Sequence, residues 1–186
     1  VGRSYEGELE ARLARIPPSE HSLIVRLSGD VLHDKELLLD PGQPPAWMPL
    51  GSRKYVLDMM KAASSLATIQ GRNSFLEPLW KKGLKVYGDG GWLDQLPQEC
   101  FGGAAPKGEQ LEDLYSQSEI NIWLTPAGRY SSVSQRVFDV LGCGGFLLAD
   151  NQSDFYELFD FESERVTFGE PGELDDLISH YETREN

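Results

Sequence analysis

Cysteine is scarce, with two in 186 residues, Cys100 and Cys143. They are too few and too far apart for a zinc or redox motif. Cys143 reads as a small core residue, and the expected compartment is the reducing cytoplasm. The three histidines, His21, His33 and His180, have no triad or metal-ligand spacing, so no metal site is expected. No apolar run approaches the length of a membrane-spanning helix, and the start lacks a signal-peptide pattern. Basic charge is also in deficit: 17 Lys and Arg face 30 Asp and Glu, a formal net charge of −13. Such a field repels a phosphate backbone and argues against nucleic-acid binding. It still allows a small anion held by local amides and one or two arginines. The dinucleotide glycine fingerprint is missing, so NAD is not supported and no cofactor is expected. There is no internal repeat or low-complexity segment.

What is present is ordinary globular material, 40% hydrophobic and 25% charged, in a length that suits one domain, residues 1–186. Val1-Gly2-Arg3-Ser4 reads as a strand end entering a helix capped by Ser4, with Leu9, Leu13 and Ile16 inward and Pro17-Pro18 as the stop. HSLIVRLSG, from His21, suits a helix by its leucines and a strand by its β-branched pair; the helical neighbours favour helix. DPGQPPAWMPLG, from Asp40, is a loop pinned by Trp47 and Met48. Residues 52–69 carry the longest helical stripe, Val56, Met59, Met60, Ala63, Leu66 and Ala67. Ser74 to Glu77 is a capping box that predicts a new helix through Lys82, with Pro78 as its first residue or as a kink.

From residue 83 onward short strands and helices alternate. Strands are expected at 84–87, near Phe101, and at 119–125, 145–149 and 165–168. Helices are expected at Glu109 to Gln117, around Phe155 with Asp154 and Glu157 as caps, and from Pro171. The expected fold class is therefore α/β: a Rossmann-like parallel sheet with helices on both faces, residues 83–186, preceded by a mainly helical insertion, residues 4–82.

The chemistry concentrates in YSSVSQRVFDVLGCGGFLLAD, residues 130–150. Val133, Val137, Val140 and Leu141 form an apolar helix face, and Ser132, Arg136 and Asp139 form a polar stripe. Gly142, Gly144 and Gly145 end the helix, and Phe146 to Ala149 read as a buried strand. Tyr130, Ser131 and Ser132 precede the helix, where free amides and the positive end of the dipole can hold a diphosphate. Arg136 could add a charge-assisted bond, and Asp139 could accept from ribose hydroxyls. The same spacing equally describes a capped surface helix with Arg136 and Asp139 paired across one turn. A second glycine-rich turn, Gly88-Asp89-Gly90-Gly91-Trp92, allows close backbone approach or is a plain turn covered by Trp92.

The stretch QRVFDVLGCGGFLLADN, followed by SDFYELF, a strand and a terminal helix, resembles the CgeB-like (spore-maturation) glycosyltransferases, in the second half of the glycosyltransferase B-type fold. The resemblance implies a nucleotide-sugar-binding half that works with an N-terminal half-domain of a longer chain, so that this fragment alone is expected to be nearly inactive. It implies a YGD-then-Trp stretch after the second strand, matched here by Gly88 and Asp89. It also implies an opening strand whose remnant is Val1-Gly2, placing Gly2 and Arg3 at the donor. Many retaining enzymes of this fold class carry two glutamates with seven residues between them on the central helix. Asp139 stands at the second place and Ser131, which is not acidic, at the first. That departure leaves the sugar and the stereochemical outcome open. The basic pair that neutralises the leaving diphosphate elsewhere is not evident; Arg136, Arg129 and Arg3 are the candidates. A catalytic base, by the same resemblance, lies in the N-terminal half or near Arg3. The rival expectations are a non-catalytic nucleotide- or phosphate-binding module, and an interaction domain that docks through the helices of residues 4–82.

Overall fold

The computed structural model describes residues 3–34, 45–48, 51–129, 131–160 and 165–183. Three helices come first: α1 (Glu6–Leu13), α2 (His21–His33) and α3 (Arg53–Leu76). Their apolar faces meet in a cluster around Leu27, Val31, Met59, Ala63 and Ala67, joined by Met48 and partly by Trp47. The small residues of α3 let α2 approach closely, and the helix expected for HSLIVRLSG, from His21, is borne out and runs on to His33. Arg26 also lies over the Trp47 ring, 4.3 Å from its centroid.

Ser52 caps α3, its hydroxyl accepting from the Tyr55 amide at 3.3 Å. The helix then runs 24 residues without a break. The expectation of one helix over residues 52–69 and a new one from Ser74 is therefore corrected. Gly71 is an interior position, and the Ser74 hydroxyl donates to the Gly71 carbonyl at 2.7 Å instead of capping. Pro78 falls in the short 3-10 turn Glu77–Leu79 that closes α3, where its missing amide costs nothing. Ser4 is not a cap either. α1 begins after Tyr5, which adopts a left-handed φ of 69°.

The second part alternates strand and helix: β1 (Val86–Tyr87), β2 (Phe101–Gly103), α4 (Glu109–Gln117), β3 (Asn121–Trp123), α5 (Gln135–Gly142), β4 (Leu147–Asp150), α6 (Ser153–Leu158), β5 (Thr167–Phe168) and α7 (Pro171–Glu182). Among the described residues every strand pairing is parallel. The class is α/β and Rossmann-like, as expected. One feature differs: the strands form two ladders, β1-β2 and β3-β4-β5, so β1 pairs with β2 and not with β3.

The β3-β4-β5 sheet is covered on both faces. Leu148 and Phe168 join the end of α3 and Leu174, Leu177 and Ile178 of α7. Leu147 and Ala149, pointing the other way, join Tyr115 of α4, Val137 and Val140 of α5 and Phe155 of α6. This two-sided burial is why 146–149 is an uninterrupted apolar run. Asp154 and Glu157 do not cap α6, which starts at Ser153 after Gln152 with no side-chain cap.

Helix α5 also starts later than expected. Its cap is Ser134, whose hydroxyl accepts from the Arg136 amide at 3.3 Å. Ser131 and Ser132 therefore precede the helix, as expected, but Ser132 and Val133 do not lie on the helix faces where the spacing placed them. At the other end Gly144 takes φ 76°. Its amide reaches Leu141 O and that of Gly145 reaches Val140 O, both at 3.0 Å. This is a Schellman stop.

Two neighbouring glycines should respond oppositely to alanine. A Cβ on Gly145 would sit 2.5 Å from the Tyr115 carbonyl oxygen, whereas one on Gly142 meets nothing within 4 Å. Gly145→Ala is expected to destabilise by about 1–3 kcal/mol. Gly142→Ala should stabilise by about 0.5 kcal/mol. Urea unfolding of both variants checks the sign of each.

Candidate active site

The carboxyl ends of parallel strands are where such sheets bind ligands. Three groups of residues meet at that edge. Beyond β1, the Gly88 amide donates to Gly103 O at 3.0 Å. Asp89 next to it accepts from the Ser4 amide at 3.0 Å, the Ser4 hydroxyl at 2.5 Å and the Gly91 amide at 3.2 Å. Burial alone would raise the Asp89 carboxyl, but these bonds outweigh it and hold it below its ordinary value. Gly91 must be glycine here, since a Cβ would fall 2.3 Å from the Ser4 hydroxyl oxygen.

Beyond β3 and β4, Asp150 Oδ1 accepts from both the amide and the hydroxyl of Thr125 at 2.8 Å, and its Oδ2 accepts from Gln152 at 2.9 Å. The following loop is tied down on α3. The Ala127 amide donates to Thr68 Oγ1 at 3.0 Å, and Gly128 approaches Ser64 so closely that a Cβ would sit 2.5 Å from its hydroxyl.

Between these groups lies Arg72, buried at 9% exposure. Its Nη1 donates to Arg3 O at 3.0 Å and its Nη2 to Leu124 O at 3.1 Å. Its guanidinium lies 5.2 Å from the Tyr5 ring centroid. Burial pushes its pKa below the ordinary value; Tyr5 and Asp150 oppose that, and Arg129 adds to it. The helical stripe expected from the sequence ends at residue 69 and so stops short of Arg72. Continued through Gly71, the stripe places Ile69, Arg72 and Leu76 on one buried face. An arginine on an apolar helix face was the available signal.

The expected site residues divide as follows. Arg3, Gly88 and Asp89 come together, although the Arg3 guanidinium turns outward to Glu8 at 3.0 Å. Ser131 is half-buried and Ser132 exposed, just ahead of α5. Gly2 and Tyr130 lie outside the described residues. Arg136 sits in the first turn of α5, a turn without acidic residues. It donates to the Tyr115 hydroxyl at 3.1 Å. No ion pair joins it to Asp139 among the described residues, so the surface-pair reading is set aside. The Asp139 carboxylate has no partner among the described residues, only its backbone carbonyl accepting from Cys143 at 3.2 Å. Arg129 is exposed in the loop before α5. No group of three or more potential metal ligands occurs among the described residues.

Residues 72–186 match the model of a family described as glycosyl transferase-like. The chain belongs to that glycosyl transferase-like family. No curated protein and no solved structure matches it. Glycosyl transfer is thus the general activity attached to this glycosyl transferase-like sheet, and the match begins at Arg72 itself. Among the described residues no helix is long and apolar enough to cross a membrane.

Two measurements follow from this edge. Arg72→Ala leaves one buried and one part-buried carbonyl without donors and should cost on the order of 3 kcal/mol. Arg72→Lys should recover less than half, because an ammonium cannot span both acceptors with a planar fork. Asp89→Ala should cost about 1 kcal/mol at neutral pH. Because the folded carboxyl lies below its unfolded value of about 3.9, its stabilisation is complete above that value and fades as pH falls through the folded one. Denaturant melts of both proteins across pH 7 to 2 should therefore converge at the acid end.

Proposed function

We propose that the chain is the nucleotide-sugar-binding half of a CgeB-like glycosyltransferase, transferring a sugar from a nucleoside-diphosphate donor to an acceptor bound by another half-domain of the same longer protein. The observation that carries the reading is the start of α5. Its first turn holds Arg136 and no acid, it lies next to the carboxyl edge of a parallel sheet, and Asp139 follows without a partner among the described residues.

In this reading the free amides at the start of α5, with Ser131 and Ser132, hold the diphosphate. Arg136 stabilises negative charge as it builds on the leaving group. Asp139 accepts from the ribose. Arg3, Gly88 and Asp89 close the donor site from β1, and Gly2 and Tyr130 belong to the same proposed donor set. Residues 4–82 form a helical insertion and 83–186 the α/β core. The compartment is the cytoplasm. A non-catalytic nucleotide binder is the second reading, favoured by Ser131 at a place where many retaining relatives in this fold class carry an acid.

The test is calorimetric titration with uridine, guanosine and thymidine diphosphates. Asp139→Asn should weaken the preferred nucleotide more than tenfold, the value of a charge-assisted bond of about 1.5–3 kcal/mol. Its melting temperature should barely move. Arg136→Ala should weaken binding comparably. Unchanged affinity in both variants contradicts the assignment. Turnover of nucleotide sugar by the full-length protein, with almost none from this chain alone, separates the enzyme from the second reading.

A further inference from the structure

Helix α3 carries a polar stripe that its packing on α1 and α2 does not need. Ser64, Thr68 and Arg72 stand four residues apart, one above the other on a single face. Thr68 and Arg72 are buried, at 3% and 9% exposure. A polar group taken out of water is unfavourable unless it is bonded. Alanine or leucine at these places would serve a helix that only fills a core, as Met59, Ala63 and Ala67 do. The stripe has its partners outside the helical cluster.

Those partners lie on one loop, the stretch between β3 and α5. Arg72 Nη2 donates to Leu124 O at 3.1 Å. The Thr68 hydroxyl gives its proton to Ser64 O at 2.7 Å, which leaves its oxygen to accept from the Ala127 amide at 3.0 Å. A Cβ on Gly128 would fall 2.5 Å from the Ser64 hydroxyl oxygen, so the backbone there lies directly on α3. The loop is laid along the helix in the antiparallel sense, residues 124, 127 and 128 against 72, 68 and 64. Ala127 packs in the cluster of the three helices and not in the clusters of the sheet.

The same loop is fixed from the sheet. Thr125 is held by Asp150 through its amide and its hydroxyl, both at 2.8 Å. The Arg129 amide closes a turn onto Pro126 O at 2.9 Å. Leu124 to Ala127 are buried, whereas Gly128 and Arg129 are exposed and lead on to Ser131, Ser132 and the Ser134 cap of α5. Whatever fixes residues 124–128 therefore sets the direction from which the chain reaches the start of α5. Ser64 and Thr68 lie outside the residues that the family model matches, 72–186. A loop of the matched region is thus held by the helix that leads into it.

We propose that Thr68 is a positioning residue for the donor site. With Ser64 and Arg72 it makes α3 the template on which the loop before α5 takes its shape, so that Ser131, Ser132 and the first amides of α5 meet a diphosphate already arranged. The consequence for binding rests on the donor reading above; the contacts with α3 do not. Thr68 isolates the effect best. Arg72 also holds Arg3 O, and the Ser64 side chain is only half-buried.

The test compares the unaltered chain with Thr68→Val, Thr68→Ala, Thr68→Ser and Ser28→Ala. Thr68→Val keeps the shape and Thr68→Ala favours the helix, and both remove the acceptor; Thr68→Ser keeps it. Ser28→Ala is the control, since it removes a buried hydroxyl bonded to Val25 O at 2.8 Å and to Gln70 at 3.3 Å, with no bond to the loop. Amide exchange read by NMR without ligand should quicken about tenfold at Ala127, and also at Arg129, in Thr68→Val and Thr68→Ala. Thr68→Ser and the control should keep the rates of the unaltered chain at both amides. Calorimetric titration with uridine, guanosine and thymidine diphosphates should show affinity about fivefold lower in Thr68→Val and Thr68→Ala alone, as the competent loop becomes one arrangement among several. Unchanged exchange at Arg129 overturns the proposal, as does a loosened loop that binds with full affinity. An equal loss of affinity in Ser28→Ala overturns it too, by reducing the effect to general destabilisation. An unaltered chain that binds none of the three diphosphates contradicts the donor reading instead, and the exchange pattern alone then decides whether α3 sets the loop.

Discussion

The geometry of the candidate site depends on one buried guanidinium. Moving an arginine off solvent is unfavourable unless its donors are used. Arg72 uses them on two backbone carbonyls from distant parts of the chain, Arg3 O and Leu124 O. Carbonyls attract the charge without neutralising it, so the burial is tolerable while the local field stays positive. The consequence is structural: the helical cluster, the entry to α1 and the end of β3 share one fixed point. The left-handed Tyr5 follows from it. A non-glycine residue at φ 69° is strained by on the order of 1 kcal/mol. It persists because Ser4 is fixed by Asp89 on one side and the Tyr5 ring lies against Arg72 on the other.

A second constraint works at the neighbouring edge. Asp150 spends both carboxylate oxygens on Thr125 and Gln152. That locks β3 to β4 and removes Asp150 from the set of groups free to meet a ligand. Asp139 and Arg136, on the helix between those strands, are held by the helix alone or by a single hydroxyl. The edge is therefore rigid where it is bonded and open on α5. That division suits a scaffold that must keep shape while a charged ligand comes and goes.

Much of this was legible in the residues. The strand at β4 is marked by an uninterrupted apolar run, and α4 and α7 by helical spacing with a proline start for α7. The glycine stop of α5 was legible because only a left-handed residue makes that turn. The errors share a cause: local signals overruled by tertiary contacts. The Ser74 box looked like a helix start, yet packing on α2 and on the sheet carries α3 through it. Ser4 looked like a cap, but its hydroxyl is more favourably used on Asp89, eighty-five residues away. Arg72 and the division of the sheet could not be read locally at all, because each is defined by contacts far apart in the chain.

The nucleoside-diphosphate site proposed at the start of α5 can be tested directly. The most direct measurement is amide chemical-shift mapping of the isotopically labelled chain during titration with uridine, guanosine and thymidine diphosphates. Binding there should give saturable shifts for one of the three, concentrated at Ser131 to Arg136, Asp139 and Gly88–Asp89. Shifts confined to α1 and α2, or none with any of the three, would contradict it.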